Sequence, residues 1–279
     1  MTLLLALLAL ASYFALPPDW RRMAGHPADV WLEWCDQLPE KLSPGIRLAL
    51  SLLIPMVVLA VLLKALHELG LAPLVFVPTA LVLMGIFGDV TLPDAATRHL
   101  GGTPSGAAAS ADDEQQDWVT PEVELSGTLA QARAELLRES LHELFSPLFW
   151  FLLATPVAAL GYYILRMAAY EGSEDTRRLA SHWLTLADWI PTRLLALSFA
   201  LAGNFTATWG VIRERLLKPD AEGHELIDEA ASAAEPTDLD GASPQIILSE
   251  ALTGLQALLQ RALIVWMVML ALHTLWPGT

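Results

Sequence analysis

Apolar residues along the chain are gathered into runs that contain few charged residues. These runs cover residues 1–16, 46–66, 71–88, 147–170, 189–212 and 261–276. Apolar stretches of about 20 residues are typical of helices that cross a bilayer. Most acidic residues lie between the runs, in residues 89–145 and 213–260. The pattern predicts an all-α fold, a polytopic transmembrane helical bundle.

Proline positions predict that several of these helices are kinked. Pro55, Pro78 and Pro156 each fall inside an apolar run, where proline removes a backbone donor and clashes with the preceding turn. Residues 67–70 leave room only for a tight connection between the second and third runs. We therefore expect packed, bent helices, because backbone groups freed inside a membrane need partners.

The polar segments between the runs differ in character. Residues 121–145 carry apolar residues at helical spacing, which predicts an amphipathic helix at the membrane surface or on the adjoining loop. On this helix His142 and Glu143 are expected to be surface residues. Residues 218–245 are acidic and poor in large apolar residues, so we expect them to be at least partly disordered.

These boundaries divide the chain into five segments. Lysine and arginine are more frequent in the connections on the side of the acidic loops, which favours a cytoplasmic position for both loops. The segments are N-terminal membrane helices with a hairpin (1–88), an acidic cytoplasmic loop with the amphipathic helix (89–145), a core membrane region (146–212), an acidic loop (213–260) and a C-terminal membrane helix (261–279).

The stretch at residues 182–203 contains three residues that hydrocarbon disfavours, Asp188, Pro191 and Arg193. Aspartate is a preferred helix N-cap and proline is tolerated in a first turn. Asp188 is therefore predicted to start a new helix, with Pro191 in its opening turn. Residues 176–187 are predicted to form an interfacial amphipathic helix, which leaves Trp189 in the aromatic belt at the membrane surface.

A functional alternative is that Arg193 faces a polar cavity and pairs with Asp188 or with an anionic ligand. Arginine at the centre of a span costs about 2.5–3.5 kcal/mol on insertion scales, so it seldom persists unpaired. Near the interface its long side chain reaches the headgroups at a smaller cost. The sequence leaves both interpretations open.

The fourth apolar run has polar and aromatic markers of its own. Pro147 marks the start of the helix, and Trp150 is expected to anchor it at the membrane interface. Arg166, near the end of the run, is expected to extend its guanidinium to the membrane surface. The alternative for Arg166 is an ion pair with an acid such as Glu171.

Composition narrows the range of functions. A mean hydropathy of +0.45 is typical of a membrane protein. The net charge of −15 leaves no basic surface for phosphates, so nucleic-acid binding is not expected. The sequence has no metal-ligand spacing, glycine-rich phosphate loop or nucleophile motif. We therefore predict no catalytic residue, no cofactor and no metal.

Two segments of the membrane core resemble known families. Residues 144–170, LFSPLFWFLLATPVAALGYYILRMAAY, and residues 182–203, HWLTLADWIPTRLLALSFALAG, are similar to the core shared by AmpE and CobD/CbiB. AmpE is a bacterial inner-membrane regulatory signalling protein linked to β-lactamase induction. CobD/CbiB is the adenosylcobinamide-phosphate synthase of cobalamin biosynthesis. The most specific matches are SPLFWF at 146–151 and DWIPTRL at 188–194.

Three departures separate this chain from the synthases. The synthases usually carry an asparagine- and acid-rich stretch before APLFW, where this chain has RESLHE at 138–143. They carry an NTLDSM-like stretch where this chain has AYEGSE at 169–174, and two acids near the positions of Leu184 and Thr185. Polar groups for a phosphate-bearing substrate and its metal are therefore missing, which favours the AmpE family.

The resemblance implies a multi-pass protein of the bacterial inner membrane, non-catalytic and associated with β-lactamase induction and cell-wall recycling. Its implied partners are the lipid bilayer and another cell-wall-recycling or signalling protein, and a homo-oligomer is compatible with it. Two other functions stay open. One is a CobD/CbiB-like amide-forming synthase, and the other is a membrane transporter, which the kinked spans, Arg166 and Arg193 would suit.

Overall fold

The computed structural model describes residues 31, 43–70, 72–75, 77–79, 82, 86, 121–218, 223–236 and 244–275. Regular structure in these ranges is entirely helical, which confirms the all-α prediction for this part of the chain. The helices are α1 (Pro44–Glu68), α2 (Pro121–Ser140), α3 (Ser146–Ala154), α4 (Pro156–Glu171), α5 (Glu174–Ala202), α6 (Phe205–Ile212), α7 (Gly223–Ala234) and α8 (Pro244–Leu275). A 3-10 turn covers Ala72–Val75, and a π-helical turn at Leu141–Phe145 joins α2 to α3.

Among the described residues, two helices are long and apolar enough to cross a membrane. They are α1 and the part of α8 from Glu250 to Met269. Helix α5 is a third candidate if its two halves form one span, since it bends by 45° between Glu174–Ala187 and Trp189–Ala202. The larger polytopic bundle stays a prediction, because residues 1–16 and most of the third apolar run lie outside the described residues.

Local sequence explains both the turn after α1 and the break in the fourth apolar run. Helix α1 ends at Glu68, and Gly70 has a φ of +71°, which glycine adopts without a steric penalty. The fourth run is divided into α3 and α4 at Thr155, which has a φ of +116°. Pro156 disfavours the α conformation for the residue before it, so the kink predicted at this proline is a full break between two helices. A β-branched residue at this φ carries backbone strain.

The predicted limits of other segments were wrong. The span predicted at 189–212 is interrupted, because α5 ends at Ala202 and Asn204 caps α6 by accepting a hydrogen bond from Ala207 N at 3.2 Å. The last helix begins at Pro244 rather than at residue 261. The helix predicted at 121–145 is confirmed over Pro121–Ser140 and then widens into the π-helical turn.

The chain forms two compact units. The first contains Met1–Val90, Leu141–Thr192 and Met267–Thr279, and the second contains Thr91–Ser140 and Arg193–Trp266. In the first unit α1 packs against α4. This packing is close at Gly161, where a Cβ atom would lie 2.7 Å from the sulfur of Met56.

In the second unit, helix α7 packs against α2 and α6. One face of α7 is buried, and it consists of Leu226, Ile227, Ala230, Ala231 and Ala234. Residues 218–245, predicted to be at least partly disordered, therefore contain a helix over Gly223–Ala234, because small and apolar residues at helical spacing give this acidic segment a face that it can bury.

Arginines from other elements bind the acidic side of α7. Arg133 of α2 lies 3.5 Å from Asp228, and Arg215 donates a hydrogen bond to Glu225 at 2.7 Å. Hydrogen bonds to Glu225 and then to Glu229 raise the pKa of Arg215 above its ordinary value. These contacts neutralise acidic side chains that would otherwise repel one another along the helix.

The end of α7 also touches the turn between α5 and α6. The backbone N–H of Asn204 donates to the carbonyl oxygen of Ala234 at 3.0 Å. A Cβ atom on Gly203 would lie 2.6 Å from that oxygen. Glycine is therefore needed at position 203 for the turn to approach α7 this closely.

We expect Gly203→Ala to lower the free energy of unfolding by about 1–3 kcal/mol, because the backbone of α7 must move to admit the methyl group. Gly210→Ala is the matched control, since a Cβ there meets no neighbouring group within 4 Å. Because Gly210 lies within α6 and alanine favours a helix more than glycine does, Gly210→Ala should not lower the free energy of unfolding. Thermal unfolding of both variants in detergent measures the difference, and equal midpoints would contradict the close contact.

Candidate functional site: a buried polar cluster

Four polar side chains meet in the interior of the first unit. His142 lies on the π-helical turn, Ser146 begins α3, Tyr162 lies on α4 and Asp188 lies on α5. All four are buried, with exposed fractions of 5%, 0%, 4% and 6% in that order. These four residues are called the polar cluster below.

Asp188 is at the centre of the polar cluster. Its Oδ1 accepts hydrogen bonds from Ser146 Oγ at 2.6 Å and from Tyr162 Oη at 2.8 Å. His142 Nδ1 lies 3.2 Å from Oδ2 of Asp188 and 3.1 Å from Tyr162 Oη. Oδ2 is buried and receives no well-directed hydrogen bond from the described part of the chain. One carboxylate oxygen is thus held by two hydroxyls, while the other faces an imidazole.

Pro147 explains how His142 reaches the interior. Proline has no N–H, and its ring conflicts with the carbonyl of the residue four positions earlier, here Glu143. The chain avoids this conflict by widening into the π-helical turn at Leu141–Phe145, a feature often found at functional sites. The extra residue in the turn changes which side chains face inward. The expectation that His142 is a surface residue was therefore wrong.

The structure also corrects the predicted role of Asp188. Helix α5 continues through Asp188 instead of starting there, with Pro191 in its interior. The bend at this point follows from Pro191, which cannot donate to the carbonyl of Ala187. Thr192 Oγ1 donates to the backbone carbonyl of Asp188 at 2.6 Å and so satisfies one group near the bend. The carboxylate of Asp188 binds side chains of α3 and α4 rather than capping a helix.

Buried Arg166 and half-buried Glu143 form an ion pair, and Glu143 is next to His142 in the sequence. Arg166 is only 7% exposed, and its Nη1 lies 3.5 Å from Glu143 Oε1. Its guanidinium carbon lies 5.4 Å from the centre of the Tyr163 ring, within range of a cation–π contact. Arg166 therefore does not extend to the surface. Its ion-pair partner is an acid, as the alternative prediction held, but that acid is Glu143 and not the suggested Glu171.

Arg193 binds backbone carbonyls in the second unit. Its Nε donates to the carbonyl of Leu216 at 2.8 Å, and its Nη2 donates to that of Lys218 at 2.9 Å. The segment after α6 therefore returns alongside α5. Carbonyl groups that follow a short helix need donors, and the arginine supplies two. Asp188 and Arg193 thus have separate sets of partners.

The remaining predicted residues flank the polar cluster. Pro147 is buried, while Trp150 and Trp189 are half-buried. The indole Nε1 of Trp150 is buried and has no hydrogen-bond partner among the described residues. Whether these tryptophans lie in an aromatic belt stays a prediction.

Sequence reasoning identified only Asp188 among the four residues of the polar cluster. Ser146 lies in the segment SPLFWF, for which the sequence predicted no role of this serine. His142 lies within the π-helical turn and Ser146 directly follows it, so α-helical spacing in the sequence does not by itself relate the two side chains. A histidine and a serine close to a proline, in the segment that leads into the fourth apolar run, were the signal that could have found them.

The polar cluster is suited to holding or moving a proton. A buried carboxylate beside an imidazole and a phenol offers several positions for one proton. Ser146 Oγ donates to the carboxylate and not to the imidazole, so the arrangement does not activate serine as a nucleophile. The described residues contain no group of three or more His, Cys, Asp or Glu side chains arranged to hold a metal ion.

We expect Ser146→Ala to lower the free energy of unfolding by about 1.5–3 kcal/mol, because it removes a hydrogen bond to a buried carboxylate. Ser181→Ala is the matched control, since Ser181 is exposed and bonds only to the carbonyl of Arg178 in its own helix. Thermal unfolding in detergent compares the two variants. A loss in Ser146→Ala no larger than that of the control would show that the hydrogen bond contributes little.

We expect Arg193→Leu to lower the free energy of unfolding by about 1–3 kcal/mol, because the carbonyl groups of Leu216 and Lys218 lose their hydrogen-bond donor. Arg178→Leu is the control, since that side chain is 80% exposed and its surface ion pair contributes less than about 1 kcal/mol. The measurement is again the unfolding midpoint. If Arg193→Leu unfolded like the wild type and yet lost function, a ligand would be the better explanation of Arg193.

Comparisons with protein-family models, with curated proteins and with solved structures found no match for this chain.

Proposed function

We propose that this protein is an AmpE-like regulatory protein of the bacterial inner membrane, non-catalytic and associated with β-lactamase induction and cell-wall recycling. One observation carries the proposal. Ser146, in the segment SPLFWF, donates a buried hydrogen bond of 2.6 Å to Asp188, in the segment DWIPTRL, 42 residues away. The two segments that resemble the AmpE core thus contact each other. This supports reading them as parts of one site rather than as separate chance similarities.

The chemistry of the contact supports a functional role for the site. Transfer of a charged side chain to an apolar interior is costly unless hydrogen bonds compensate. Apolar residues of similar volume often give equal or greater stability. Ionisable residues inside membrane helices are therefore functional candidates by default. Asp188 is therefore the residue on which we expect the function of the site to depend. Ser146, Tyr162 and His142 hold its carboxylate in position.

A CobD/CbiB-like synthase is the second candidate, and one observation favours it. The segment RESLHE departs from the synthase pattern in sequence, but it contributes His142 and the Arg166 partner Glu143 near the polar cluster. Groups able to transfer protons are therefore present where the synthases carry their polar stretch. The two candidates predict different phenotypes, one in β-lactamase induction and the other in growth without cobalamin.

We expect deletion of the gene, in a host with inducible β-lactamase, to change both the induced enzyme level and the cytoplasmic muropeptides. Wild-type protein and the Ser181→Ala variant should restore both. Asp188→Asn should accumulate in the membrane without restoring either, because an amide of the same shape cannot carry the charge. Immunoblotting of membranes checks the amount of protein. Unchanged β-lactamase and muropeptides after deletion would contradict the proposal.

The synthase is tested separately, by expression in a cobalamin-requiring mutant that lacks its adenosylcobinamide-phosphate synthase. Growth without cobalamin would favour the second candidate over the first. Absence of growth with normal membrane expression would remove it.

A further inference from the structure

The fourth apolar run turns back on itself. Glu143 precedes α3 and Arg166 lies in α4, yet Nη1 of Arg166 is 3.5 Å from Oε1 of Glu143. In one straight helix, with a rise of about 1.5 Å per residue, these two positions would be about 34 Å apart. His142 Nδ1 and Tyr162 Oη, which also lie on opposite sides of the break at Thr155, are 3.1 Å apart. Helices α3 and α4 therefore pack against each other and form a helical hairpin, called the α3–α4 hairpin below, with Thr155 at its tip.

Neither arm of the α3–α4 hairpin is long enough to cross a bilayer. Helix α3 has 9 residues and α4 has 16, so the arms measure about 14 Å and about 24 Å at the α-helical rise. The hydrocarbon core of a bilayer is about 30 Å thick. No charged residue lies between Glu143 and Arg166 in the sequence. The segment is therefore apolar enough to enter a membrane, but it reaches only part of the way across.

The backbone of Thr155, at the tip, has hydrogen-bond partners within the hairpin. Its N–H donates to the carbonyl oxygen of Phe151 at 3.3 Å. Its carbonyl oxygen accepts from the N–H groups of Ala158 and Ala159 at 3.1 Å and 3.3 Å. The next residue, Pro156, has no N–H that would need an acceptor. Because hydrocarbon supplies no partners for backbone groups, a tip with these bonds is suited to membrane depth.

Helix α4 contacts the middle of α1. Met56 is the central residue of the helix Pro44–Glu68, and a Cβ atom on Gly161 of α4 would lie 2.7 Å from its sulfur. Since α1 is apolar enough to cross a membrane, this contact indicates that Gly161 lies near the middle of the bilayer. Leu153, beside the tip, is 63% exposed, which is favourable in hydrocarbon and unfavourable in water.

We propose that the α3–α4 hairpin is a re-entrant segment, which enters the hydrocarbon of the membrane from one side and leaves on the same side. Its partner is the lipid tails, which surround Leu153 and the tip. Both ends of the fourth apolar run then lie on one side of the membrane, so the polar cluster is reached from that side only. The proposal does not depend on the resemblance to AmpE, because it follows from contacts within the first unit.

Cysteine labelling of the full-length protein in membrane vesicles of known orientation tests the topology, in a Cys35→Ser background without other cysteines. Arg138→Cys and Asp175→Cys are at exposed positions before and after the hairpin. Both should react about tenfold faster with a charged maleimide from the same side, because the charge keeps the reagent out of hydrocarbon. Ser43→Cys and Leu69→Cys, at the exposed ends of α1, are the matched controls and should react from opposite sides. Reaction of Arg138→Cys and Asp175→Cys from opposite sides, or of both controls from one side, overturns the proposal.

A spin label on Leu153→Cys tests the depth of the tip, in vesicles of phosphatidylethanolamine and phosphatidylglycerol. The exposed side chain of Leu153 can be replaced without loss of packing, and an unchanged unfolding midpoint checks the fold. The label should collide mainly with dissolved oxygen, which enters hydrocarbon, whereas the same label on Asp175→Cys should collide mainly with a water-soluble nickel complex. Nickel collisions at position 153 equal to those at position 175 overturn the proposal. Few collisions with either reagent also overturn it, because a protein surface would then cover the tip.

Discussion

The position of Asp188 is the constraint on which the first unit depends. A carboxylate in an apolar interior is tolerated only where donors replace the water that it has lost. Ser146 from α3 and Tyr162 from α4 supply those donors at 2.6 Å and 2.8 Å. The need to solvate one carboxylate therefore fixes how α3, α4 and α5 approach one another. Apolar contacts around them are less directional and would allow other arrangements.

Prolines prepare the backbone for this contact. Pro147 follows the π-helical turn that carries His142, and Pro191 follows the bend at Asp188. Pro156 separates α3 from α4 and leaves Thr155 with a strained φ of +116°. Pro191 lies inside its helix and removes one backbone hydrogen bond, whereas Pro147 and Pro156 lie in the first turns of α3 and α4, where the missing N–H costs no bond within the helix. In return, residues on three helical segments can direct their side chains to the same point.

In the second unit the charged residues that bind other elements are arginines, whereas in the first unit the central charged residue is the carboxylate of Asp188. Arg193 binds two backbone carbonyls after α6, and Arg133 and Arg215 bind acidic residues of α7. Exposed ion pairs contribute little to stability, so the buried alanine and leucine face of α7 accounts for most of its attachment. The arginines neutralise acidic side chains on the part of α7 that is not buried. An acidic composition alone therefore does not indicate disorder when an apolar face is present.

The sequence by itself determined the features that depend on neighbouring residues. A continuous apolar run located α1 and hydrophobic periodicity located α2. Composition identified helices able to enter a membrane, and Pro156 located the break between α3 and α4. The sequence also singled out Asp188, as an acidic residue within an apolar run.

The tertiary structure decided the partners of the charged and polar groups. The burial of His142, the Glu143–Arg166 pair and the carbonyls bound by Arg193 all join residues that local spacing does not relate. A side chain's ionic or hydrogen-bond partner depends on which helices pack together, and this is set by contacts between residues tens of positions apart. For the same reason, the sequence named an aspartate as a helix cap, whereas the packed helices made it the acceptor that joins them.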